Sequence, residues 1–345
     1  MVELTSSVDL CGAKGLNRAA VGWSRRPLHG CALNGASRLR QKKWNYWAIT
    51  TQTHLFSVTV SDIGYAGLAF IYLVDFDRGA FHEETVLVPL ARGFDLPETV
   101  DADVQFGRCG LAISMLHSDG PDGHRVRHEV EMPGFMGRGL RADFVVSYPE
   151  GHDTLNVVVP WDDRHFQFTA KHNTLPTIGS VRLGAGGSEG AQEVRFEGPQ
   201  AFACLDYGRG VWPYRCAWNW GAASGREGDR TVGLNLGGKW TDGTGATENA
   251  LCIDGDLTKV DEDLVWEYDT RDWMKPWKIR TPDAQAIDLE FTPMLERVAT
   301  TNALIVRSEV HQMFGHYQGV VRDATGQAVE VEHLVGWAED HRAAW

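Results

Sequence analysis

The stretch Asp206–Trp220 is the part of the sequence whose residue types most clearly suggest chemistry. It places the carboxyl group of Asp206 among three indoles and two phenols, those of Trp212, Trp218, Trp220, Tyr207 and Tyr214. Protonation of an alkene needs a carboxylic acid that apolar surroundings keep neutral, and aromatic faces stabilise the resulting cation. The stretch therefore predicts Asp206 as a proton donor and the rings as ligand contacts in a hydratase, cyclase or isomerase. The plainer and commoner alternative is that the rings fill a core and Asp206 accepts backbone hydrogen bonds at a turn.

A second candidate group lies at Trp337–His341. An acid beside a histidine can form an acid–base pair, so Asp340 is a further candidate catalytic residue. In a strand, however, Glu339 and His341 share one face and Asp340 lies on the other. We expect Trp337 and Glu339 to contact a ligand. The alternative is that these charges are solvated, as tandem charges near a chain end usually are.

Two further sets of polar residues are candidates for the same cavity. His311 and Gln312 end an apolar strand, His311 as a candidate catalytic group and Gln312 as a ligand contact, although a hydrogen-bonded core histidine is commoner. A Gly-rich hairpin region holds polar groups that could bind a hydroxylated or anionic ligand head, namely Asn235, Lys239, Asp242, Glu248 and Asn249. Trp240 of the same region is expected to contact a ligand. Ordinary turn chemistry, which favours Asn, Asp and Gly, is the alternative for that region.

The sequence indicates no metal ion and no cofactor. His124, His128 and Glu129 contain metal-ligand types, but positions i and i+4 of a strand lie too far apart to chelate easily. No Gly-x-Gly-x-x-Gly string follows a strand in a βαβ unit, and Lys239 lacks the context of a phosphate-binding loop.

Composition and charge exclude several classes of partner. The 345 residues carry a formal net charge of −13, whereas nucleic acid and anionic membranes need clustered cationic side chains. No apolar run reaches the length of a transmembrane helix, and the opening residues lack a secretory signal pattern. The six cysteines are dispersed without a Cys-x-x-Cys pair, as expected for reduced thiols. We therefore expect a cytoplasmic protein with no nucleic-acid partner and no integral membrane association.

Strands must position these candidate residues, because short β-branched or alternating runs between turn residues dominate the chain. Two short helical turns are predicted, near Ala91–Leu96 and Thr292–Arg297. The runs also repeat: Trp44-Asn45-Tyr46 returns as Trp218-Asn219-Trp220 about half a chain later. In the same order His172-Asn173 returns as His311-Gln312, and Phe202–Asp206 returns as Trp337–Asp340 with a spacing that differs by one residue. These echoes predict an all-β chain of two tandem modules, 1–197 and 198–345, the first with an insertion near 101–133.

A family resemblance is carried by these strings: AVGWSR (20–25), KWNYW (43–47), LDYGRGVWPY (205–214), WNW (218–220), GLNLGGKWTDGTG (233–245), TENA (247–250), QMFG (312–315) and GWAEDH (336–341). On these strings the chain resembles a bacterial family of domains of unknown function, family 2804, over nearly its whole length. That family is remotely similar to the double lipocalin-like barrels of carotenoid 1,2-hydratases, tocopherol cyclases and related fungal cyclases. The resemblance implies two lipocalin-like antiparallel barrels or strongly curved sheets, an apolar cavity, and cofactor-free chemistry on polyenes or isoprenoids.

Three functions follow as hypotheses. The first is a cofactor-independent hydratase, cyclase or isomerase that acts on a small hydrophobic unsaturated substrate. The second is an intracellular carrier of a lipid or isoprenoid, which predicts an apolar cavity without a convergent cluster of titratable groups. The third is carbohydrate recognition, because tryptophans with Asn, Asp and Glu also suit sugars.

Overall fold

The computed structural model describes residues 1–13, 15–120, 123–184, 191–303 and 306–345. The chain is all-β, as predicted, and forms one nearly closed barrel and one half-barrel sheet. The strands are β1 (Val8–Asp9), β2 (Cys11–Gly12), β3 (Gly15–Leu16), β4 (Trp23–Ser24), β5 (His29–Gly30), β6 (Gln41–Thr50), β7 (His54–Asp62), β8 (Ala66–Asp75), β9 (Ala80–Pro89), β10 (Val104–Arg108), β11 (Leu111–Gly120), β12 (Gly123–Met132), β13 (Leu140–Tyr148), β14 (Leu155–Pro160), β15 (Phe166–Leu183), β16 (Gln192–Phe196), β17 (Phe202–Val211), β18 (Arg215–Glu227), β19 (Arg230–Gly238), β20 (Ala250–Ile253), β21 (Asp256–Lys259), β22 (Val265–Glu267), β23 (Trp277–Arg280), β24 (Ile287–Ala303), β25 (Val306–Arg322) and β26 (Ala328–Ala344). Short 3-10 helices lie at Arg18–Ala20, Arg38–Arg40 and Phe135–Gly137. Among the described residues, no helix has the length and apolar character needed to cross a membrane.

The N-terminal sheet consists of β4 and β6–β17. Its main strand order is β10-β11-β12-β13-β15-β17-β6-β7-β8-β9, and β14 and β16 also pair with β15. The predicted insertion near 101–133 forms β10–β12 at one end of this order. In β12 the side chains of Val126 and Val130 are buried while those of Arg127 and Glu129 are exposed. This alternation with a period of two explains why the segment adds strands to the sheet.

The C-terminal sheet consists of β18–β26 in the order β21-β20-β19-β18-β26-β25-β24-β23-β22. The predicted helical turn at Thr292–Arg297 is wrong, because these residues lie inside β24 and pair with β25. The register shifts between Pro293 and Leu295. Proline has no N–H for the ladder, and a bulge is a position where a paired strand tolerates it. Pairing across the sheet thus overrides the local preference of the segment.

The chain passes from one sheet to the other after Val211, later than the predicted boundary between 197 and 198. Strand β17 pairs with β15 on one edge and with β6 on the other, and all its residues are buried. Ladders on both edges fix this strand in the N-terminal sheet. The division into two modules stays a prediction. The chain changes sheet after Val211 and not after Glu197.

The two sheets pack against each other near a bulge in β15. The register of β15 with β17 shifts between His172 and Leu175, which directs the intervening residues toward the C-terminal sheet. The Asn173 side-chain amide donates to the carbonyl oxygen of Leu234 at 3.0 Å. The Thr174 backbone N–H donates to the Ser224 hydroxyl at 2.9 Å. The N-terminal sheet also encloses its own apolar core, and the C-terminal sheet a second one. The candidate functional site lies between the two sheets, apart from both of these cores.

Candidate functional site

A cavity of about 410 Å³ lies between the two sheets. Alternate residues of β6–β9, β15 and β17 line it from one side, and alternate residues of β18 and β24–β26 line it from the other. The regular alternation follows from strand geometry, which turns every second side chain to the same face. Six indoles contribute to the wall: Trp44, Trp212, Trp218, Trp220, Trp240 and Trp345. Leu87 also lines the cavity and is 60% exposed.

The internal repeat brings two carboxyl groups to matching places in this cavity. Asp206 of β17 lies opposite Tyr46 of β6. Glu339 of β26 lies opposite Trp220 of β18. Because Tyr46 and Trp220 are the third residues of the repeated motif, Asp206 corresponds to Glu339. The ring centroids of Tyr46 and Trp220 lie 5.6 Å apart in an edge-to-face contact.

Lys171 is the centre of a buried charged cluster on the N-terminal sheet. Its ammonium lies 2.9 Å from Asp206 Oδ2 and 3.2 Å from Glu248 Oε2. It also lies 4.1 Å from the ring centroid of Trp220, which is cation–π distance. Burial alone would lower the pKa of Lys171, but the two carboxylates reverse this effect and raise it. The Lys171 ammonium therefore keeps its positive charge inside the cavity wall. Thr169 donates its hydroxyl to Asp206 Oδ1 at 3.2 Å.

Glu248 comes from the loop between β19 and β20 and reaches the cluster across Gly237. A Cβ atom at Gly237 would lie 2.4 Å from Glu248 Cγ, so only glycine allows this approach. Trp240 donates its indole N–H to Glu248 Oε1 at 2.7 Å. Burial raises the pKa of the Glu248 carboxyl, and the neighbouring Lys171 opposes that rise. Among the described residues, Glu248 Oε2 has no hydrogen-bond partner beyond its ion pair with Lys171.

Glu339 is the carboxyl group whose surroundings best favour a proton near neutral pH. It is 7% exposed, and Trp218 donates its indole N–H to Oε1 at 2.8 Å. Burial raises the pKa of Glu339 to about 7, against smaller opposing effects from Trp218, Arg297 and Lys171. Within the described chain no cationic side chain forms an ion pair with it. A buried carboxyl with a pKa near the working pH is suited to general acid catalysis.

Arg297 of β24 belongs to the part of the lining that the C-terminal sheet contributes. Its guanidinium donates to Glu83 at 2.7 and 3.1 Å and to Gln312 Oε1 at 3.4 Å. The Tyr72 hydroxyl donates to the same Gln312 oxygen at 3.5 Å. Each of these contacts fixes a polar side chain at the apolar wall.

His341 lines the cavity next to Glu339 on the same face of β26. Its ring centroid lies 3.9 Å from that of Trp218. Burial lowers its pKa to about 3, so the imidazole is neutral at physiological pH. Its Nε2 lies 2.8 Å from the Ser308 hydroxyl.

Eight of the predicted site residues line the cavity, namely Asp206, Trp212, Trp218, Trp220, Trp240, Glu248, Gln312 and Glu339. Asp340 and His311 do not. Asp340 contacts Lys239 and Tyr268 on the other face of β26. His311 lies 2.7 Å from Glu296 and stacks on Trp273 at 4.3 Å. Their catalytic roles stay predictions that this geometry does not support, because each is one residue out of register with the cavity face.

The other three predicted residues also lie outside the lining. Trp337 is 1% exposed and packs edge-on against Trp220 with centroids 5.3 Å apart. Asn235 accepts the Trp220 indole N–H at 2.9 Å and donates to the Glu248 carbonyl oxygen. Both residues therefore support the cavity wall without lining the cavity. Tyr214 is 42% exposed, in the turn before β18.

Sequence reasoning missed Lys171, Arg297 and Glu83 as members of the site. Lys171 directly precedes the echo His172-Asn173, and by register Lys171 pairs with Asp206 as Gln312 pairs with Glu339. The echo in the sequence aligns Lys171 with Val310 instead, so this equivalence follows from the strand register and gave no signal for Lys171 beforehand. For Arg297 and Glu83 no motif marks the residues, because their pairing depends on contact between the two sheets.

A second cluster of titratable groups lies away from the cavity. Asp101, His117 and His124 bring potential metal-ligand atoms within 4.8 Å of one another. His117 Nδ1 lies 2.9 Å from His124 Nε2, and His124 Nδ1 lies 3.0 Å from Asp119. The facing nitrogens are thus already engaged in hydrogen bonds. His128, considered with His124 in the sequence, is fully buried against Trp47 instead.

The fold and the cavity define an all-β protein of two curled sheets around an aromatic site with buried carboxyl groups. Residues 1–345 match the family model described as domain of unknown function (DUF2804), and the chain belongs to that family. A search of curated proteins gives no match to the chain.

Among solved structures, kievitone hydratase from Nectria haematococca is similar, with a TM-score of 0.50 at 9% identity over 99% of this chain and 98% of that one. Two structures of CghA, one of them with Sch210972, have TM-scores of 0.42 and 0.41 at 12% identity over 97% of each chain. At 9% identity the likeness to kievitone hydratase concerns the fold alone.

Proposed function

We propose that this protein is a cofactor-independent enzyme that protonates a carbon–carbon double bond of a hydrophobic substrate in the cavity, with Glu339 as the proton donor. The observation that carries the proposal is the geometry of Glu339. Its carboxyl is buried in an aromatic wall, one oxygen accepts from Trp218, and the other is left to carry a proton. Such a group can be protonated at rest and give up its proton to a bound alkene.

Asp206, the donor suggested by the sequence, fits a different role. It accepts from the Lys171 ammonium at 2.9 Å and from the Thr169 hydroxyl at 3.2 Å. Both contacts stabilise a carboxylate rather than a neutral acid. Together with Glu248 it forms the polar end of the cavity, where a water molecule or a leaving proton would be received.

The reaction balances in each of its three forms. The π electrons of the alkene bond the proton from Glu339, so that one carbon gains a C–H bond and the other becomes a cation. The faces of Trp218 and Trp220 stabilise this cation. Water can then add and lose a proton to a carboxylate, a second double bond can attack and the new cation that it leaves can lose a proton to a carboxylate, or a neighbouring C–H of the first cation can lose its proton to a carboxylate. These outcomes are hydration, cyclisation and isomerisation respectively.

Two buried polar atoms of the lining support a place for water or a ligand hydroxyl. Gln167 Nε2 and Thr59 Oγ1 have no hydrogen-bond partner among the described residues. Gln167 Oε1 meanwhile accepts from the Trp212 indole at 2.7 Å, which fixes the direction of its amide. Buried polar atoms without partners are uncommon and mark sites where a water or a ligand completes the hydrogen bonding.

The test uses isotope-labelled solvent. Deuterium from the solvent marks any alkene that the protein protonates, so the substrate need not be known beforehand. The protein is incubated with a panel of neutral terpenoid, polyene and phenolic alkenes in deuterated, ¹⁸O-labelled water, and products are analysed by mass spectrometry. We expect deuterium in a product from the wild type and none above background from Glu339→Gln. Glu330→Gln, an exposed position on the same strand, is the matched control and should keep activity. Deuterium incorporation that survives in Glu339→Gln would contradict the assignment.

The carrier alternative rests on the same aromatic cavity. It predicted a lining without convergent titratable groups, whereas Lys171, Asp206, Glu248 and Glu339 all line this cavity. We therefore rank the enzyme first. Native mass spectrometry of protein purified from its own host separates the two, because a carrier would retain a lipid that the protein does not convert.

A further inference from the structure

The charged groups of the cavity are unequal in number. Among its described lining residues are four carboxyl groups, those of Glu83, Asp206, Glu248 and Glu339, and two cationic side chains, those of Lys171 and Arg297. The imidazole of His341 adds no charge, because burial lowers its pKa to about 3. Even with Glu339 protonated, the carboxylates outnumber the cations.

Neither cation is available to a ligand. Lys171 already has two carboxylate partners within 3.2 Å. Arg297 has Glu83 at 2.7 Å. Both side chains are nearly buried in the wall, at 5% and 11% exposure. An anionic ligand group would have to break one of these pairs to gain a counter-ion.

One further ammonium lies near the cavity without lining it. Lys42 donates to the Ile63 carbonyl oxygen at 2.7 Å. Its ammonium lies 4.7 Å from the ring centroid of Tyr65 and 5.3 Å from that of Trp345. Lys42 is 1% exposed, and these two rings, which do line the cavity, are its neighbours on that side. It therefore offers no direct ion pair to a ligand.

We infer that the cavity takes a ligand that is uncharged or that carries or develops positive charge, and that it excludes ligands bearing a carboxylate or phosphate group. Transfer of an anion out of water without a counter-ion is unfavourable, and nearby carboxylates add repulsion. The aromatic faces and the surplus of carboxylates act in the opposite sense on a cation. The inference deepens the proposed function, because it assigns the substrate class as a neutral alkene rather than an unsaturated fatty acid or a prenyl diphosphate.

The experiment compares three probes with the same ten-carbon chain at pH 7: decyltrimethylammonium, 1-decanol and decanoate. Binding is measured by isothermal titration calorimetry below the solubility limit of decanol and below the critical micelle concentrations of the two ionic probes. We expect decanol and decyltrimethylammonium to bind, and decanoate to bind at least about tenfold more weakly than decanol, which corresponds to a single unfavourable charge contact. Decanoate binding equal to or tighter than decanol binding would overturn the inference. Failure of decanol to bind would overturn it too, since the cavity would then accept no neutral alkyl chain.

A variant tests the cause of the selectivity. Glu83→Gln removes the carboxylate partner of Arg297 and leaves a free cation in the lining, so the affinity for decanoate relative to decanol should rise above its wild-type value. Glu84→Gln is the control, because Glu84 is the adjacent residue on β9 and does not line the cavity. No gain for decanoate in Glu83→Gln would contradict the role of the paired Arg297.

These outcomes are separate from those of the proposed function. If the probes bind in the expected order but no alkene is labelled, the ligand class stands and the enzymatic role fails. If an anionic alkene is labelled and the labelling depends on Glu339, the enzymatic role stands and the ligand class fails.

Discussion

Asp206 and Glu339 occupy equivalent positions in the two sheets, each directly opposite the third residue of the repeated motif. The partner of Asp206 is Tyr46, and the partner of Glu339 is Trp220. The two acids nonetheless have different surroundings. Asp206 faces an ammonium, whereas Glu339 faces an indole N–H. This asymmetry separates a carboxylate from a proton-carrying acid within one cavity, the arrangement that acid–base chemistry requires.

We expect Trp218→Phe to raise the pKa of Glu339 further. The indole N–H donates to the carboxyl, favours its charged form, and so holds the pKa lower than burial alone would. An infrared titration of the carboxyl band should show its midpoint moved to higher pH. Trp345→Phe provides the control, because Trp345 also lines the cavity but its indole nitrogen has no partner among the described residues. An unchanged midpoint in Trp218→Phe would show that the hydrogen bond has no such role.

The stability of the protein should depend on Glu339 in a defined pH range. The pKa of Glu339 is raised from 4.5 to about 7 on folding, so the folded state retains a proton that the unfolded state has lost. The contribution of Glu339 to stability is therefore complete below pH 4.5 and is lost as pH rises through 7. Relative to wild type, Glu339→Gln should gain stability between pH 5 and pH 8, by at most about 3 kcal/mol. Urea unfolding at several pH values measures this difference, and a difference independent of pH would argue against a raised pKa.

Lys171→Met should strongly destabilise the fold. It leaves Asp206 and Glu248 buried without their common cation, and breaking a buried ion pair on one side costs about 3–5 kcal/mol. The double variant Lys171→Met/Glu248→Gln removes one of the orphaned charges and should recover part of the loss. Chemical denaturation of both proteins gives the comparison. A double variant no more stable than the single one would show that Glu248 is not coupled to Lys171.

Gly237→Ala should disturb the site through Glu248. The added Cβ would lie 2.4 Å from Glu248 Cγ, so the glutamate must move away from Lys171. We expect a loss of about 1–3 kcal/mol, as for other overpacked positions, and weaker ligand binding. Gly107→Ala is the matched control in a strand, since a Cβ there meets nothing within 4 Å. Equal effects of the two substitutions would exclude the proposed contact.

The sequence was sufficient for the all-β class, the internal repeat and most of the aromatic wall. Those features depend on local patterns that survive in any register. The residue of the second half that is equivalent to Asp206 could not be identified from such local patterns. The echo aligned Asp206 with Asp340, and the register aligns it with Glu339, one residue earlier. Because side chains alternate along a strand, that single step decides which acid faces the cavity.

Long-range pairing accounts for the other differences. Strand β17 belongs to the N-terminal sheet through its ladders with β6 and β15, and Arg297 meets Glu83 only where the two sheets come together. Neither relationship produces a pattern among residues that are close in sequence.

The central claim is that Glu339 carries a proton inside the cavity at near-neutral pH. Difference infrared spectroscopy of wild type against Glu339→Gln tests it most directly, because it needs neither substrate nor ligand. We expect the carbonyl band of a protonated carboxyl group at pH 6, present in the wild type, absent in the variant, and lost from the wild type with a midpoint near pH 7. A difference spectrum that shows only carboxylate bands at pH 6 would contradict the account, because Glu339 would then have no proton to donate.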